Sequence, residues 1–298
     1  MMLKTILGMV LYIVFAPFVG GLLAGLDRKI TARMQGRIGP PILQPFYDVR
    51  KLINKDILLI NNMQYLFAWC FVIFVVFTGA LFYGGFNILL VFFVLTTAAM
   101  FFVLEATTTN SPYSVMGANR EMIQMLSYEP MVLLTAVGFY VATAFTTGTG
   151  AGTFSVASII SESNIPNIVV LPGVFFGFAF ILTIKFRKSP FDLSMSHHAH
   201  QEMVKGITTE LSGGMMALIE VSHWYENVFL LGVVALFVLC NKWWSIPLAI
   251  LVCAITYFVE ILVDNTSARV KWENMFKHSW IITLIFGVVN IFILQMLS

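Results

Sequence analysis

Charged residues are scarce in this chain. Only 11% of its 298 residues are Asp, Glu, Lys or Arg, whereas a typical soluble domain carries roughly 25%. Hydrophobic residues make up 59% of the chain, and its mean hydropathy is +0.88. A chain with so much apolar surface and so little charge cannot be an ordinary soluble domain.

Cysteine is scarce as well, and phosphate-binding loops are missing. Cys70, Cys240 and Cys253 stand singly within apolar segments, so the sequence excludes an iron–sulfur or zinc site built from paired cysteines. No glycine-rich phosphate loop or P-loop motif occurs, which argues against ATP hydrolysis. No convincing internal repeat is found either.

Long apolar runs are what the chain has in abundance. Runs of roughly 20 apolar residues fit the hydrocarbon core of a bilayer, which is about 30 Å thick. Eight such runs lie near 5–26, 65–83, 86–104, 122–145, 167–185, 214–240, 244–264 and 279–297. The first has only Lys4 ahead of it and lacks a cleavage site of small residues, so we expect a retained helix and not a signal peptide. The prediction is an all-α integral membrane protein with eight transmembrane helices in one domain, 1–298.

The distribution of positive charge predicts the orientation. Fifteen of the 17 Lys and Arg residues fall in the loops 27–63, 105–121, 185–213 and 265–278. By the positive-inside rule these four loops are cytoplasmic and both termini face outward. The pI near 8.4 comes from these loops and does not indicate nucleic-acid binding.

Several acids lie inside the predicted helices, where a carboxylate costs about 2.5–3.5 kcal/mol on insertion scales. Glu121 and Glu129 are eight residues apart, which places them about 80° apart around one helix axis. Elsewhere, Glu220 and Glu226 each lie an i,i+3 step from His223. These positions suggest a chain of protonatable groups, whose members are Glu121, Glu129, Glu210, Glu220, Glu226, Glu260 and Asp264.

Structural explanations compete with this proton path. Glu121, Glu129 and Glu220 could each form an ion pair with Arg120, Lys185 or Lys205. Acids near helix ends could instead lie at the level of the lipid headgroups, and Glu226 could be solvated near the outer interface.

The first charged loop predicts a short helix of its own. Gly39-Pro40-Pro41 forms a stiff turn, and Pro45 suits the first position of a new helix. Phe46, Val49 and Ile53 would form the apolar side of this helix. Such an amphipathic helix lies along the membrane surface or under a docked protein, and a simple headgroup anchor is the alternative.

The third charged loop is crowded with ionisable groups. Between Lys188 and Gly206 it holds three histidines, two acids and two lysines. A bilayer protein has no structural need for so many such groups in one loop, so we expect it to contact a partner protein or to handle charge. Adventitious metal binding by the histidines is the weaker alternative.

Three of these loops resemble one known family. The first loop contains Arg28-Lys29, Gln35-Gly-Arg-Ile-Gly-Pro40 and Gln44-Pro45, and the second contains Asn110-Ser-Pro-Tyr-Ser-Val-Met-Gly117 and Gln124-Met-Leu-Ser-Tyr-Glu129. The third contains Ser189-Pro-Phe-Asp192, Glu202-Met-Val-Lys-Gly206 and Thr209-Glu-Leu-Ser-Gly213. In this order, and spanning almost the whole chain, these motifs resemble the membrane subunit of respiratory complex I that forms the quinone channel.

The same family includes membrane-bound nickel–iron hydrogenases, and the departures of this chain favour that branch. Quinone enzymes have a strongly acidic stretch after Pro-Phe-Asp, but here the stretch is Ser194-Met-Ser-His-His-Ala-His200. Where they carry an acid in the sixth helix, this chain has His223, and where they have Glu before Arg-Lys it has Asp27. The histidine-rich version is similar to energy-converting group 4 hydrogenases of the Ech and Mbh types.

The resemblance implies a role and a set of partners. The chain would anchor a soluble arm made of the hydrogenase large and small subunits, adjoin antiporter-like membrane subunits, and couple ferredoxin-driven hydrogen production to proton or sodium translocation in a prokaryotic cell membrane. It would bind no cofactor itself, since the nickel–iron centre and the iron–sulfur clusters would belong to the partners. The residues expected to face the arm are Arg28, Arg37, Gln44, Asp48, Asp192, His197, His198, His200 and Glu202.

Three other functions stay open on the sequence. The chain could be the quinone-channel subunit of a complex I-like dehydrogenase or part of a sulfur-reducing relative with the same membrane plan. It could also be a stand-alone ion transporter, although it has more charged loop than a lone carrier needs for orientation.

Overall fold

A computed structural model describes residues 2–57, 61–148, 151–188, 190–192, 194–195 and 205–297. In these ranges the chain is 79% helical and forms no strand, apart from the isolated bridges Asn87–Ser155 and Phe191–Val270. The longer helices are α1 (Met2–Met34), α2 (Gln44–Ile53), α3 (Asn62–Tyr83), α4 (Ile88–Thr107), α5 (Pro112–Thr147), α8 (Pro172–Lys185), α9 (Gly213–Leu236), α10 (Ser245–Thr266), α11 (Trp272–Ile282) and α12 (Val289–Leu297). The short helices α6 (Val156–Glu162) and α7 (Asn167–Val170) precede α8, and a π-helical segment, Thr283–Val288, joins α11 to α12.

The expected all-helical membrane fold is confirmed. Every predicted apolar run falls on a helix, and within the described ranges six helices are long and apolar enough to cross a bilayer: α1, α3, α4, α5, α10 and the continuous helix Trp272–Met296. The other two predicted spans are α8, which has 14 residues, and α9, which has 24 residues and carries several polar groups. Eight crossings and outward termini therefore stay predictions.

Local sequence signals explain where the helices begin and end. The side chains of Asn61 and Asn87 accept hydrogen bonds from the backbone N–H two residues later, which caps α3 and α4. Pro112 occupies the first turn of α5, and Gly148 ends that helix in a left-handed conformation. Helix α5 continues through Pro130, whose missing N–H leaves the carbonyl four residues earlier without its helical partner.

Phenylalanine dominates the centre of the bundle. Phe92, Phe102, Phe139, Phe178 and Phe229 are almost fully buried, and large apolar side chains such as Ile250 (67% exposed) cover the outside. An apolar outer surface would be a liability in water. In a bilayer it is the surface that contacts lipid.

The four charged loops meet at one end of the bundle. Gln35 of the first loop donates to Asn265 of the fourth at 3.1 Å, and Arg120 of the second pairs with Asp192 of the third at 2.9 Å. The third loop also bonds to the fourth, because the N–H of Asp192 donates to the carbonyl of Val270. The connections that precede α8 and follow α9 lie together at the opposite end, where Ile168 N–H donates to Phe237 O and Asn241 N–H to Ser163 O.

Helix α2 forms as predicted, but its packed side differs by one position. Phe46 lies against Trp224 of α9, with ring centroids 5.2 Å apart, and Val49 is half-buried. Ile53, expected on this side, is 62% exposed, and Leu52 is half-buried in its place. The prediction for Ile53 was wrong, and Leu52, three residues after Val49, completes the packed side of the helix.

A glycine at the start of α9 allows a second backbone to pass close by. Gly213 has φ +52°, and a Cβ atom there would lie 2.6 Å from the carbonyl oxygen of Asp56. Because only glycine accommodates both constraints, the chain leaving α2 can cross directly over the start of α9.

Candidate functional site

A cavity of about 390 Å³ opens between α1, α9, α10 and the segment that follows α8. Its lining is unusually rich in charge for a site inside a membrane bundle. The lining residues that carry a charge or an imidazole are Asp27, Arg28, Lys185, Arg187, Lys188, Glu220, His223 and Asp264. We call this space the ionisable cavity.

Three cations at the end of α8 organise the cavity. Helix α8 ends at Lys185, and Arg187 adopts φ +56°, a left-handed conformation that is uncommon for a residue with a side chain. This sharp change of direction lets Lys185, Arg187 and Lys188 reach acids on different helices. We call these three residues the cationic hub.

Lys185 pairs with Glu226 of α9. The Nζ atom lies 3.0 Å from Oε1 of Glu226, and it also lies 4.1 Å from the ring centroid of Tyr128. His223, one turn before Glu226, places Nδ1 3.6 Å from Oε2 of the same carboxylate. Since both carboxylate oxygens have a cationic or potentially cationic neighbour, Glu226 is not solvated at an outer interface but buried in an ion-pair network.

Arg187 pairs with Glu121 of α5. An N–H of its guanidinium donates to Oε1 of Glu121 at 3.3 Å, and the hydroxyl of Ser194 donates to the other oxygen. A small space of about 10 Å³ lies between this pair and the Lys185–Glu226 pair. That volume is close to the lower limit for one water molecule, so a single water could link the two pairs.

Lys188 completes the hub by joining α1 to α10. Its Nζ lies 2.6 Å from Oδ2 of Asp27 and 3.9 Å from Oδ2 of Asp264. The ammonium also lies 5.9 Å from the ring centroid of Tyr257. The cationic hub thus connects helices α1, α5, α9 and α10 through charge.

A second cavity, of about 260 Å³, lies under α2 and shares Arg28, Glu220 and Trp224 with the ionisable cavity. Arg28 pairs with Asp48 of α2 at 2.5 Å, and Gln44 donates to the same carboxylate at 3.0 Å. Partial burial raises the pKa of Asp48, but these hydrogen bonds outweigh it and leave the pKa below its ordinary value. Glu220 therefore lies where a polar path from the α2 surface meets the interior.

The structure brings together only some of the predicted proton-path residues. Glu121, Glu226, Glu220 and Asp264 lie at the hub or line the ionisable cavity. Among the described residues, Glu129, Glu210 and Glu260 lie outside that lining: Glu129 and Glu210 are half-buried, and Glu260 is buried one turn before Asp264. The conducting role of all seven acids stays a prediction.

The predicted arm-facing residues are distributed in three ways. Arg28, Arg37, Gln44 and Asp48 lie on or beside the exposed surface around α2. Asp192 is only 9% exposed and pairs with Arg120. It therefore stabilises its loop by an internal ion pair and contributes little to the exposed surface. His197, His198, His200 and Glu202 lie outside the described residues.

Sequence reasoning found only one member of the cationic hub. Lys185 was named as a possible ion-pair partner, but for Glu121, Glu129 or Glu220 and not for Glu226. The contacts of Arg187 and Lys188 with acids were not predicted, because both residues fit the positive-inside pattern. A signal was present, because three cations within four residues directly follow a membrane helix. Glu105, buried and bonded to Gln64 of α3 at 2.9 Å, is a further buried acid that the predicted path did not include.

No group that could hold a metal is found in the described part of the chain, where no three His, Cys, Asp or Glu side chains come together in suitable geometry. The lining of the ionisable cavity brings together carboxylates, an imidazole and buried cations, which are groups that can exchange protons and charge.

Comparison with known proteins settles the family. A family model described as NADH dehydrogenase matches residues 7–295. The chain belongs to that family. It is 28% identical to a subunit of the NADH-quinone oxidoreductase of Syntrophotalea carbinolica, over 98% of this chain and 92% of the relative. It is 27% identical to hydrogenase-4 component C of Escherichia coli, over 87% of each chain.

A solved structure shares the fold. The chain superposes on a subunit of the membrane-bound sulfane sulfur reductase, an archaeal respiratory membrane complex, with a TM-score of 0.77 and 22% identity. The match covers 96% of this chain and 99% of the other. Together these relatives confirm the resemblance predicted from the loops: the chain is a multi-pass membrane subunit of the class shared by complex I-like enzymes and group 4 hydrogenases.

Proposed function

We propose that this chain anchors the soluble arm of an energy-converting hydrogenase and couples ferredoxin-driven hydrogen production to the translocation of protons or sodium ions. The arm would contain the large and small hydrogenase subunits, which would hold the nickel–iron centre and the iron–sulfur clusters. This chain would bind no cofactor. Antiporter-like membrane subunits would receive the coupling signal.

The observation that carries this proposal is the charge of the ionisable cavity. Pockets for small organic ligands are mostly apolar with a few polar groups, whereas eight of the residues lining this cavity carry a charge or an imidazole. Such a lining suits proton and charge transfer better than it suits a quinone ring with its apolar tail. The relative named hydrogenase-4 component C gives independent support.

The cationic hub provides a route by which charge at the arm could reach the membrane interior. In this proposal the four charged loops face the cytoplasm and the chain crosses the membrane eight times, with both termini outside. A redox change in the arm would shift the charge of the loop histidines, which titrate near neutral pH. Glu220 would pass that change to His223 and the Lys185–Glu226 pair, and the same coupling would act in reverse.

A quinone-channel role is the second candidate, and the relatives named as subunits of NADH-quinone oxidoreductases favour it. One purification separates the two candidates. The chain is isolated from its native membrane in mild detergent, and the co-purifying material is assayed for nickel, iron and ferredoxin-driven hydrogen evolution. Nickel together with hydrogen production supports the hydrogenase, while iron without nickel and quinone-dependent turnover would transfer the chain to the respiratory branch.

A stand-alone transporter is tested by the same preparation. The isolated chain is reconstituted alone in liposomes, and ion flux is followed with a pH-sensitive or sodium-sensitive dye. We expect no flux above that of empty liposomes, since a coupling subunit needs its partners. Sustained flux by the isolated chain would overturn the coupling role.

A further inference from the structure

One buried acid lies outside the ionisable cavity and takes no part in the proposed coupling. Glu105 stands in the last turn of α4, and its exposed fraction is 0%. Gln64, in the first turn of α3, is 1% exposed, and its Nε2 donates to Oε1 of Glu105 at 2.9 Å. We call these two side chains the acid–amide pair.

Two oxygen atoms of the acid–amide pair are left without a donor. Oε2 of Glu105 and Oε1 of Gln64 are both inaccessible to solvent, and within the described part of the chain neither has a hydrogen-bond partner. Exchanging the nitrogen and oxygen of the Gln64 amide would not help, because the amide oxygen would then face the carboxylate in place of its donor. Since buried polar atoms are almost always hydrogen-bonded, an ionised Glu105 leaves this contact incomplete.

Glu105 also lacks a cation. Among the described residues, no Lys, Arg or His forms an ion pair with it. Helix α3 carries no charged residue, and the charged residues on or beside the other elements that contact α4 are Arg120, Glu121, Glu129, Lys205 and Glu210. An isolated buried carboxylate is so costly that the group takes up a proton instead.

A proton on Oε2 of Glu105 supplies the missing donor. A carboxylic acid that faces an amide makes two hydrogen bonds, one from the amide N–H to the acid carbonyl and one from the acid O–H to the amide oxygen. The first of these bonds is the one from Gln64 Nε2 to Glu105 Oε1. The second would satisfy both of the remaining oxygens at once.

The amide of Gln64 also reaches the end of the third charged loop. Its Nε2 atom carries two hydrogens, and it lies 3.5 Å from the carbonyl oxygen of Glu210. Glu210 follows the helical turn Gly206–Thr208, through which the third loop returns towards α9. That turn contacts both α4 and α5. The acid–amide pair therefore joins α3 and α4 to the end of the third loop.

We propose that Glu105 carries a proton in the folded protein and that the acid–amide pair is a pH-sensitive contact, which fixes the end of the third charged loop to α3 and α4. If the proton were lost, the ionised carboxylate would draw water into the contact and compete for both N–H groups of Gln64. The bond to Glu210 would break, and the turn before α9 would loosen. This inference does not depend on the electron carrier or on the reaction of the complex.

Infrared spectroscopy of the purified complex tests the proton directly. The C=O stretch of a protonated carboxylic acid is separate from the bands of carboxylates and amides, and at neutral pH we expect one such band in the wild type that Glu105→Gln lacks. Glu162→Gln is the matched control, because Glu162 is an exposed acid at the opposite end of the bundle.

A second variant tests the partner of the proton and serves if Glu105→Gln does not assemble. Gln64→Met should keep the C=O band of Glu105 but move it to higher wavenumber, because the N–H that donates to Oε1 is removed. A carboxylic-acid region that neither variant changes would mean that Glu105 is ionised, and the proposal would be overturned.

Hydrogen exchange tests whether the proton holds the turn. The N–H groups of Thr208, Thr209 and Leu211 are bonded within this segment. As the pH is raised and the C=O band disappears, we expect their protection, corrected for the intrinsic exchange rate, to fall in the wild type and in Glu162→Gln. It should persist in Glu105→Gln, whose amide cannot ionise. Equal loss in Glu105→Gln, or unchanged protection in the wild type after the band has gone, would overturn the contact.

Discussion

Lys185 Nζ lies 3.0 Å from Glu226 Oε1 in the interior of the bundle, where the two side chains are only 6% and 9% exposed. Neither charge has ready access to solvent, so each depends on the other. Removing one partner of a buried pair typically costs about 3–5 kcal/mol, because the remaining charge is left uncompensated. The pair therefore contributes to assembly as well as to any charge transfer.

Lys185→Met should accordingly destabilise the protein strongly, by about 3–5 kcal/mol. Thermal unfolding of the purified complex, followed by tryptophan fluorescence, measures the change. The double variant Lys185→Met/Glu226→Gln should recover part of the loss, since no unpaired charge remains. Lys277→Met is the control, because Lys277 is exposed. A single variant as stable as that control would show that Glu226 finds another partner or a proton.

Gly213→Ala and Gly214→Ala should behave oppositely although the residues are adjacent. Gly213 has a positive φ and would direct a Cβ against the backbone at Asp56, whereas a Cβ at Gly214 would meet only the side chain of Ile57, whose Cδ1 would lie 3.4 Å away. We expect the first substitution to cost more than about 1 kcal/mol and the second to be neutral or mildly stabilising. Yield and thermal stability of the assembled protein measure both, and equal effects would contradict the backbone crossing.

The fold was predictable because the dominant signals are local. Apolar runs of membrane-spanning length marked every major helix, and Pro45 marked the start of α2. It was harder to predict which side of each helix faces the bundle. Ile53 lies seven residues after Phe46, a spacing that places both on one side of a helix, yet Ile53 is exposed and Leu52 is half-buried, so the local pattern did not decide which residue packs against the bundle.

The sequence predicted which residue types form the site, but it did not predict which cation pairs with which acid. Acids in membrane helices indicated charge, and Glu121, Glu220 and Glu226 do lie at the hub or in the cavity lining. The pairing of these acids depends on the left-handed conformation of Arg187, which directs the three cations of the hub towards different helices. No local pattern encodes such a turn at a non-glycine residue, so the hub could not be derived from spacing.

Asp48→Asn should weaken the attachment of α2 at neutral pH, with the effect shrinking as the medium becomes acidic. The pKa of Asp48 is lowered in the folded state, so its pairing with Arg28 stabilises above the ordinary carboxyl range and is lost as the pH falls through the lowered value. Since both partners are substantially exposed, the effect at neutral pH should stay below about 1 kcal/mol. Hydrogen exchange of the α2 amides measures it, and a difference from wild type that persists in acid or in high salt would point to a cause other than this pair.

Glu220→Gln should lower ion transport per hydrogen produced while leaving assembly intact. Glu220 lies at the junction of the two polar cavities, and the neutral amide keeps its shape but cannot exchange a proton. The proton-path hypothesis predicts the same loss for Glu129→Gln. Glu162→Gln, an exposed acid at the opposite end of the bundle, is the control. Coupled transport in proteoliposomes at the wild-type rate in both test variants would make these acids structural.

His198→Ala and Asp192→Asn should both loosen the soluble arm, but for different reasons. His198 is expected to contact the arm, so its loss should reduce co-purification of the arm without changing the thermal stability of the membrane subunit. Asp192 is buried against Arg120, so its loss should also lower that stability, because the arginine is left without its carboxylate. Quantitative co-purification and thermal unfolding of the same preparations separate the two effects. An arm retained at the wild-type level in His198→Ala would remove the histidine from the docking surface, whereas a loss of the arm in Asp192→Asn at unchanged stability would place that acid directly in the interface.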